Sequence, residues 1–247
     1  MKLFRSFRRK LIALSKFKSY LAYALGEIVL IAIGISIAWK INNLNDIRKD
    51  NIVEKKIYAN LNEELNSNLR TLNGLIDEYP QRITYLEKTL DYVGKQPNEL
   101  TQGAKDTIIN LFDTDVILLD NSINSILRTT KFEFIESTEL KDLIILYPNK
   151  IIKFQEQNDK IKNLVNNRIK PAIEKHISLA DKLPAYTKYQ RIKDLGSKSD
   201  YNALLANKEY QNSIIDWLLQ TQIQLNNAKN IRSKTKILIQ ELKTELD

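Results

Sequence analysis

The sequence predicts an all-α protein: an N-terminal transmembrane helix running into a long helix, then an antiparallel helical-bundle ectodomain. Three observations predict it. Residues 20–39, YLAYALGEIVLIAIGISIAW, contain a single charge, and a helix rising about 1.5 Å per residue needs roughly 20 apolar residues to cross a hydrocarbon core. Beyond Trp39 only Gly74, Gly94, Gly103 and Gly196 remain of the glycines, amid many Leu, Ile, Lys, Asn, Gln and Glu. That composition favours helix over sheet. Apolar residues in the same region recur at three- and four-residue steps, the period of a helix face.

The chain therefore divides into a basic cytoplasmic tail (1–19), a transmembrane helix (20–39) and a helical extracytoplasmic domain (40–247). About 200 residues bury roughly 70% of their unfolded surface, enough for one core. Before the span stand Lys2, Arg5, Arg8, Arg9, Lys10, Lys16 and Lys18 with no acid, whereas the stretch after it mixes both signs. Basic flanks stay in the cytoplasm, so these seven cations are the orientation signal and place residues 40–247 outside. They also account for most of the net charge of +8: with Glu27 subtracted inside the span, only +2 is left beyond Trp39. The basic balance is thus a topology signal, with the tail suited to anionic lipid head groups, and nucleic acid is not expected as a partner. Ser36-Ile37-Ala38 resembles a signal-peptide cleavage site. The long charged lead, the full span length and Trp39-Lys40 as an interfacial anchor favour retention over cleavage.

Glu27 is the one costly residue in the span, since a carboxyl at membrane depth needs a partner, a proton or the interface. It shares a stripe with Tyr20, Tyr23, Gly34 and Ala38. Ala22, Gly26, Gly34 and Ala38 set small side chains along neighbouring ridges, which permits close helix–helix approach. Ala22, Gly26, Glu27, Gly34 and Ala38 together are the candidate membrane helix-pairing face, toward a second copy or another membrane protein. The competing reading leaves Glu27 two turns from the cytoplasmic end, reaching the interface through a local water defect.

The stretch YALGEIVLIAIGISIAWKINNLN, residues 23–45, resembles the opening of an uncharacterised family of single-span bacterial membrane proteins. That family has a Tyr-Ala-x-Gly-Glu-Ile start, an Ile-Gly-Ile core and then Ile-Asn-Asn-Trp-Asn. A looser likeness covers residues 121–147, NSINSILRTTKFEFIESTELKDLIILY, where the family shows a Ser/Thr-rich turn, then Leu-Ile and a helix ending in Tyr. Leu44 stands where the family has Trp, and Thr129-Thr130 stand in place of its Ser-Gly turn. The resemblance implies a single-pass protein of the bacterial inner membrane, with a periplasmic domain where the cell is Gram-negative, and implies no reaction.

After the span, a long helix over 40–93 is expected from Ile41, Leu44, Ile47, Ile57, Leu61, Leu65, Leu69, Leu72, Ile76 and Tyr79, with a kink or break at Pro80. Ile83, Leu86, Leu90 and Val93 resume the stripe until Gly94 stops it. Residues 95–103 read as a loop, and short helices follow at 104–112 and 120–128, the latter capped by Asp120 or Asn121. Phe132 to Ile135 reads as a short extended piece. A helical segment runs from Thr138 to about Leu179, broken by Pro148 and Pro171, and 180–199 reads as a second loop.

The last helix, 208–246, is the best defined. Ile214, Leu218, Thr221, Leu225, Ala228, Ile231, Thr235, Leu238, Leu242 and Leu246 fall on one coiled-coil-like seam about 55 Å long at about 1.5 Å per residue. The helix from Lys40 to Tyr79 has the same reach, so the two are expected to pack antiparallel; the alternative is that either seam pairs across a subunit interface. No repeat of 20–50 residues is visible.

Catalytic chemistry is thinly represented. Without cysteine there is no thiolate, disulfide or Cys metal site. His176, the only histidine, has no ligand-spaced partner and reads as a surface or partly packed helix residue. Asp113, Asp115 and Asp120 lack the glycine and distal glutamate of a calcium loop and read as caps and turn formers. Glu63 and Glu64 point about 100° apart on a helix and form no carboxylate pair. Ser178 and Lys182 are helix neighbours without a serine-lysine motif, and Tyr186, Tyr189, Tyr201 and Tyr210 read as boundary packing.

No catalytic, cofactor-binding or metal residue is therefore nominated, no cofactor is implied, and an enzyme is not expected. The residues favour a membrane-anchored helical scaffold or protein-interaction module, whose partners are the bilayer and a second copy or another membrane protein. A sensor-type or small-ligand-binding helical domain is the alternative, and a carboxylate-based enzyme a distant third.

Overall fold

The computed structural model describes residues 17–110 and 116–246, and among them every regular element is helical. The chain divides into two units, Met1–Lys56 and Ile57–Asp247. Helix α1, Phe17–Asp91, contributes residues to both.

Pro80 does not end α1. Its ring is exposed, while Leu72, Leu75, Tyr79, Arg82, Leu86 and Thr89 keep one buried face running past it. A proline inside a helix costs about 3 kcal/mol, less than burial of two large apolar side chains returns at about 1.5–3 kcal/mol each. The helix stops at Asp91, and Gly94 follows in the left-handed region with φ +83°, where a stop is expected.

The expected loop 95–103 contains a 3-10 turn, Pro97–Glu99, and the start of α2, Gln102–Ile109. Thr101 Oγ1 accepts the Ala104 N–H at 3.2 Å, so α2 begins earlier and ends earlier than the apolar pattern indicates. Helix α3 spans Asn121–Leu127 with Asp120 at the N-cap position. The expected extended piece at 132–135 is instead a 3-10 helix, Thr130–Phe134, entered through Thr129, whose hydroxyl accepts the Lys131 N–H.

Ser137 caps α4, Thr138–Leu164, which passes Pro148 unbroken. Near Pro171 the chain widens into a π-helical turn, Val165–Ile169, before α5, Lys170–His176. Proline lacks the N–H that an ordinary turn would use, and the wider turn with Pro171 at the start of α5 absorbs that loss. The segment thus ends at His176, short of Leu179. The expected loop 180–199 also needs correction: it holds α6, Thr187–Leu195, none of whose residues is buried. Helix α7, Tyr201–Ala206, is capped by Asp200. Helix α8, Lys208–Leu246, has the bounds read from the sequence, and Asn207 Oδ1 accepts the Tyr210 N–H at 3.0 Å to start it.

Within Ile57–Asp247, α8 runs closest to α4. The partners Tyr147–Thr235, Phe154–Gln224, Gln157–Gln220 and Arg168–Asp216 descend along one helix as they ascend the other, so α4 and α8 are antiparallel. Helix α1 packs on α8 through side chains, with Leu61, Leu65 and Leu72 in one apolar cluster with Ile231, Leu238 and Leu242. The seam of α8 faces inward: Ile214, Thr221, Ala228, Ile231, Thr235, Leu238 and Leu242 are buried. The Leu246 side chain lies outside the described residues.

Two apolar clusters result. One joins Leu61, Leu65 and Leu72 of α1 to Ile144 and Phe154 of α4 and Ile231 and Leu242 of α8. The other joins Leu86, Ile108, Ile169, Leu204 and Trp217. Between them lies a belt of polar side chains: Tyr79 and Arg82 from α1, Gln157 and Asn158 from α4, Thr221 and Gln224 from α8.

Candidate functional site

In the unit Met1–Lys56, the 18-residue window at the start of α1 has a mean hydropathy of 2.2 and is entirely unburied. Length and composition make this one helix able to cross a membrane. Ala22, Gly26, Glu27, Gly34 and Ala38 are all exposed on it. A Cβ placed on Gly26 or Gly34 would meet nothing within 4 Å, so the described chain brings no second element against this face. Beyond Trp39, Asn42 Nδ2 donates to Asp46, which also pairs with Lys49 at 3.3 Å. Exposed pairs of this kind contribute little. Of the orientation cations, Lys2, Arg5, Arg8, Arg9, Lys10 and Lys16 lie outside the described residues, as does the Lys18 side chain.

In the unit Ile57–Asp247 several buried polar side chains hold backbone groups of distant segments. Glu64, nearly fully buried on α1, accepts the N–H groups of Ser122 at 2.7 Å and Ile123 at 3.4 Å. It does the capping expected of Asp120, whose own side chain makes no cap bond. One turn on, Asn68 Nδ2 donates to the Leu119 carbonyl and Oδ1 accepts the Leu119 N–H, both at 2.7 Å. From the sequence, Glu64 stands out only as no carboxylate partner for Glu63, and Asn68 does not stand out. The signal was present, because both fall in phase with Leu61, Leu65 and Leu72 on the buried stripe.

Nearby, the Tyr147 hydroxyl lies 2.8 Å from Thr235 Oγ1. Thr235 spends its own hydrogen on the Ile231 carbonyl at 2.9 Å, so Tyr147 is the donor in that pair. Burial pushes the Tyr147 phenol above its ordinary value, and the bond to Thr235 opposes the shift.

The polar belt is paired in part: among the described residues the Tyr79 hydroxyl, Asn158 Nδ2 and Gln224 Oε1 are buried without a hydrogen-bond partner. Gln157 Nε2 donates to the backbone and side-chain oxygens of Gln220, Gln224 Nε2 donates to the Phe154 carbonyl, and Thr221 donates to the Trp217 carbonyl. Arg82 is buried, pairs with Glu78 at 2.6 Å and stacks on the Tyr79 ring at 5.6 Å. Burial pushes Tyr79 up to about 12, against the opposing pull of Arg82.

A third polar group ties the 178–201 connection together. Asp181 accepts from Ser199 Oγ at 2.6 Å and Tyr201 OH at 3.0 Å, and Ser199 in turn accepts the Ser178 N–H at 2.9 Å. Ser178 thus acts as a cap rather than beside Lys182. His176 is half-buried at the end of α5, and its carbonyl accepts the Asp200 N–H. Asp113 and Asp115 lie outside the described residues. Among the described residues no three His, Asp or Glu side chains converge as a metal site would require. The arrangement holds helices and connections in place. No family model matches the chain, and no curated protein and no solved structure is significantly similar to it.

Proposed function

We propose that the chain is a single-pass protein of the bacterial inner membrane, with its N-terminus in the cytoplasm and residues 40–247 outside as a helical scaffold or interaction module. One observation carries the membrane part: an apolar window long enough to span, with none of it covered by the chain. Keeping its Leu, Ile and Val side chains in water would cost on the order of 20 kcal/mol, at about 1.5–3 kcal/mol for each one left unburied. The seven cations before the span support the orientation, and the resemblance of residues 23–45 to a single-span bacterial family supports the membrane. The scaffold part is supported by Glu64, Asn68 and Gln224, whose buried side chains hold backbone groups of other segments.

Two measurements test the reading. Alkaline carbonate extraction of membranes should leave the full chain in the pellet, and release into the supernatant would overturn anchoring. An alkaline phosphatase fused after Asp247 should be active; an inactive fusion beside an active cytoplasmic reporter would overturn the orientation. Affinity capture from membranes, with the span intact, should then return a second copy or a membrane protein.

A further inference from the structure

On the surface of the unit Ile57–Asp247, a groove of about 370 Å³ opens between α4 and α8. Its size falls within the range of small-molecule sites, roughly 300–1,000 Å³. Leu143, Leu146 and Leu238 line it together with the ring of Tyr147, whose hydroxyl is already committed to Thr235. Asn149, Lys150, Lys153 and Lys234 complete it, and no carboxylate is in the lining. None of the three lysines makes an ion pair among the described residues.

The lining is ordered along the helices. Because Tyr147 sits opposite Thr235 and the helices are antiparallel, Leu143 and Leu238 share one end, while Lys150 and Lys153 lie at the other. From Leu143 to Lys153 the groove follows α4 for about 15 Å at about 1.5 Å per residue. Leu146, in the lining, is 60% exposed and so open to a ligand laid along the groove.

We infer that this groove binds a single-chain anionic amphiphile, an acyl chain ending in a carboxylate or phosphate. The chain lies on Leu143, Leu146, Tyr147 and Leu238, and the head meets the ammonium groups. An apolar floor alone would accept any hydrophobic ligand. Lys150 and Lys153 at one end and Lys234 level with Tyr147, with no acid in the lining to answer them, select a negative head. The inference is independent of the topology proposed above, since it concerns only the fold of the second unit.

The test uses the full chain in nanodiscs of phosphatidylcholine, with a diazirine-bearing dodecanoate as photoprobe and mapping of the labelled peptides by mass spectrometry. Labelling should concentrate on the peptides holding Leu143–Tyr147 and Leu238. It should be competed by laurate or dodecyl phosphate, the two head-group arms, and not by dodecylamine. The triple variant Lys150→Gln/Lys153→Gln/Lys234→Gln changes exposed or half-exposed residues and should keep its helical circular dichroism while losing labelling at least ten-fold. Leu146→Glu should do the same from the apolar end. Labelling spread along the chain, equal competition by dodecylamine, or full labelling of a folded triple-lysine variant would each overturn the assignment.

Discussion

Asn68 clasps Leu119 from both sides of its amide plane: the carboxamide nitrogen donates to the Leu119 carbonyl and the oxygen accepts its N–H, each at 2.7 Å. A side chain on a long helix thereby substitutes for the strand partner that an extended segment would otherwise need. The segment 116–120 has no helix or sheet ladder of its own, yet it buries Val116 and Leu118. Asn68→Ala should destabilise the fold by about 2–4 kcal/mol, since two buried backbone groups lose their partners at about 1–2 kcal/mol each. Urea unfolding reads the loss, and amide exchange at Leu119 should accelerate further than that at Ile231. A change below about 0.5 kcal/mol would refute the clasp.

One turn earlier, Glu64 holds the start of α3. Glu64→Ala should cost about 1–2 kcal/mol, the range of a lost cap bond. Asp120→Ala should cost less, because its side chain makes no cap bond. Equal costs in the two variants would show that the cap is shared.

Tyr147 and Thr235 are linked through a donor assignment that can be tested by a double-mutant cycle. Tyr147→Phe and Thr235→Val should couple by about 1 kcal/mol, a typical net value for a buried hydrogen bond. Strict additivity would remove the bond from the network.

Stability should fall at high pH through the buried phenols. Tyr79 is raised from 10.0 to about 12, so its neutral form is favoured in the folded state. That contribution is intact below 10 and is lost as pH rises toward about 12, because the unfolded chain releases its proton first. Burial raises Tyr210 in the same direction. Tyr79→Phe and Tyr210→Phe should flatten the decline of the urea midpoint over that window, while lysine titration affects variants and parent alike. An unchanged slope in both variants would contradict the shift.

For the membrane helix, Glu27→Ala or Gly34→Leu should reduce crosslinking between copies, or to a co-purifying protein, with insertion unaffected. Unchanged crosslinking would leave the exposed small-residue face without a pairing role.

Much of this architecture can be read from periodicity. The α8 seam was legible because its apolar and small residues hold one phase for 39 residues and nothing interrupts it. Gly94 was legible because only a residue at ease with positive φ suits that stop. The prolines misled. Pro80 and Pro148 are breakers by local rule, but the buried faces on either side of each hold the helix together. Helix α6 was invisible to a reading based on core periodicity, since it buries no residue. Glu64 and Asn68 were hidden differently. Their positions showed on the apolar stripe, but their partners lie more than fifty residues away, and only folding brings the 116–123 segment to them. The α4–α8 groove needed the antiparallel register, which no single helix encodes.

The polar belt between the two apolar clusters works as a vernier for the bundle. Leucine and isoleucine seams tolerate a slide of one turn, because each knob finds a similar hole one step along. Carboxamides do not: moved by a turn, Gln157 and Gln224 would face Phe154, Ile161 or Ala228 and leave their donors in an apolar wall. The belt therefore fixes which residues of α4 and α8 stand level, and with them the single alignment that brings Lys234 alongside Lys150 and Lys153.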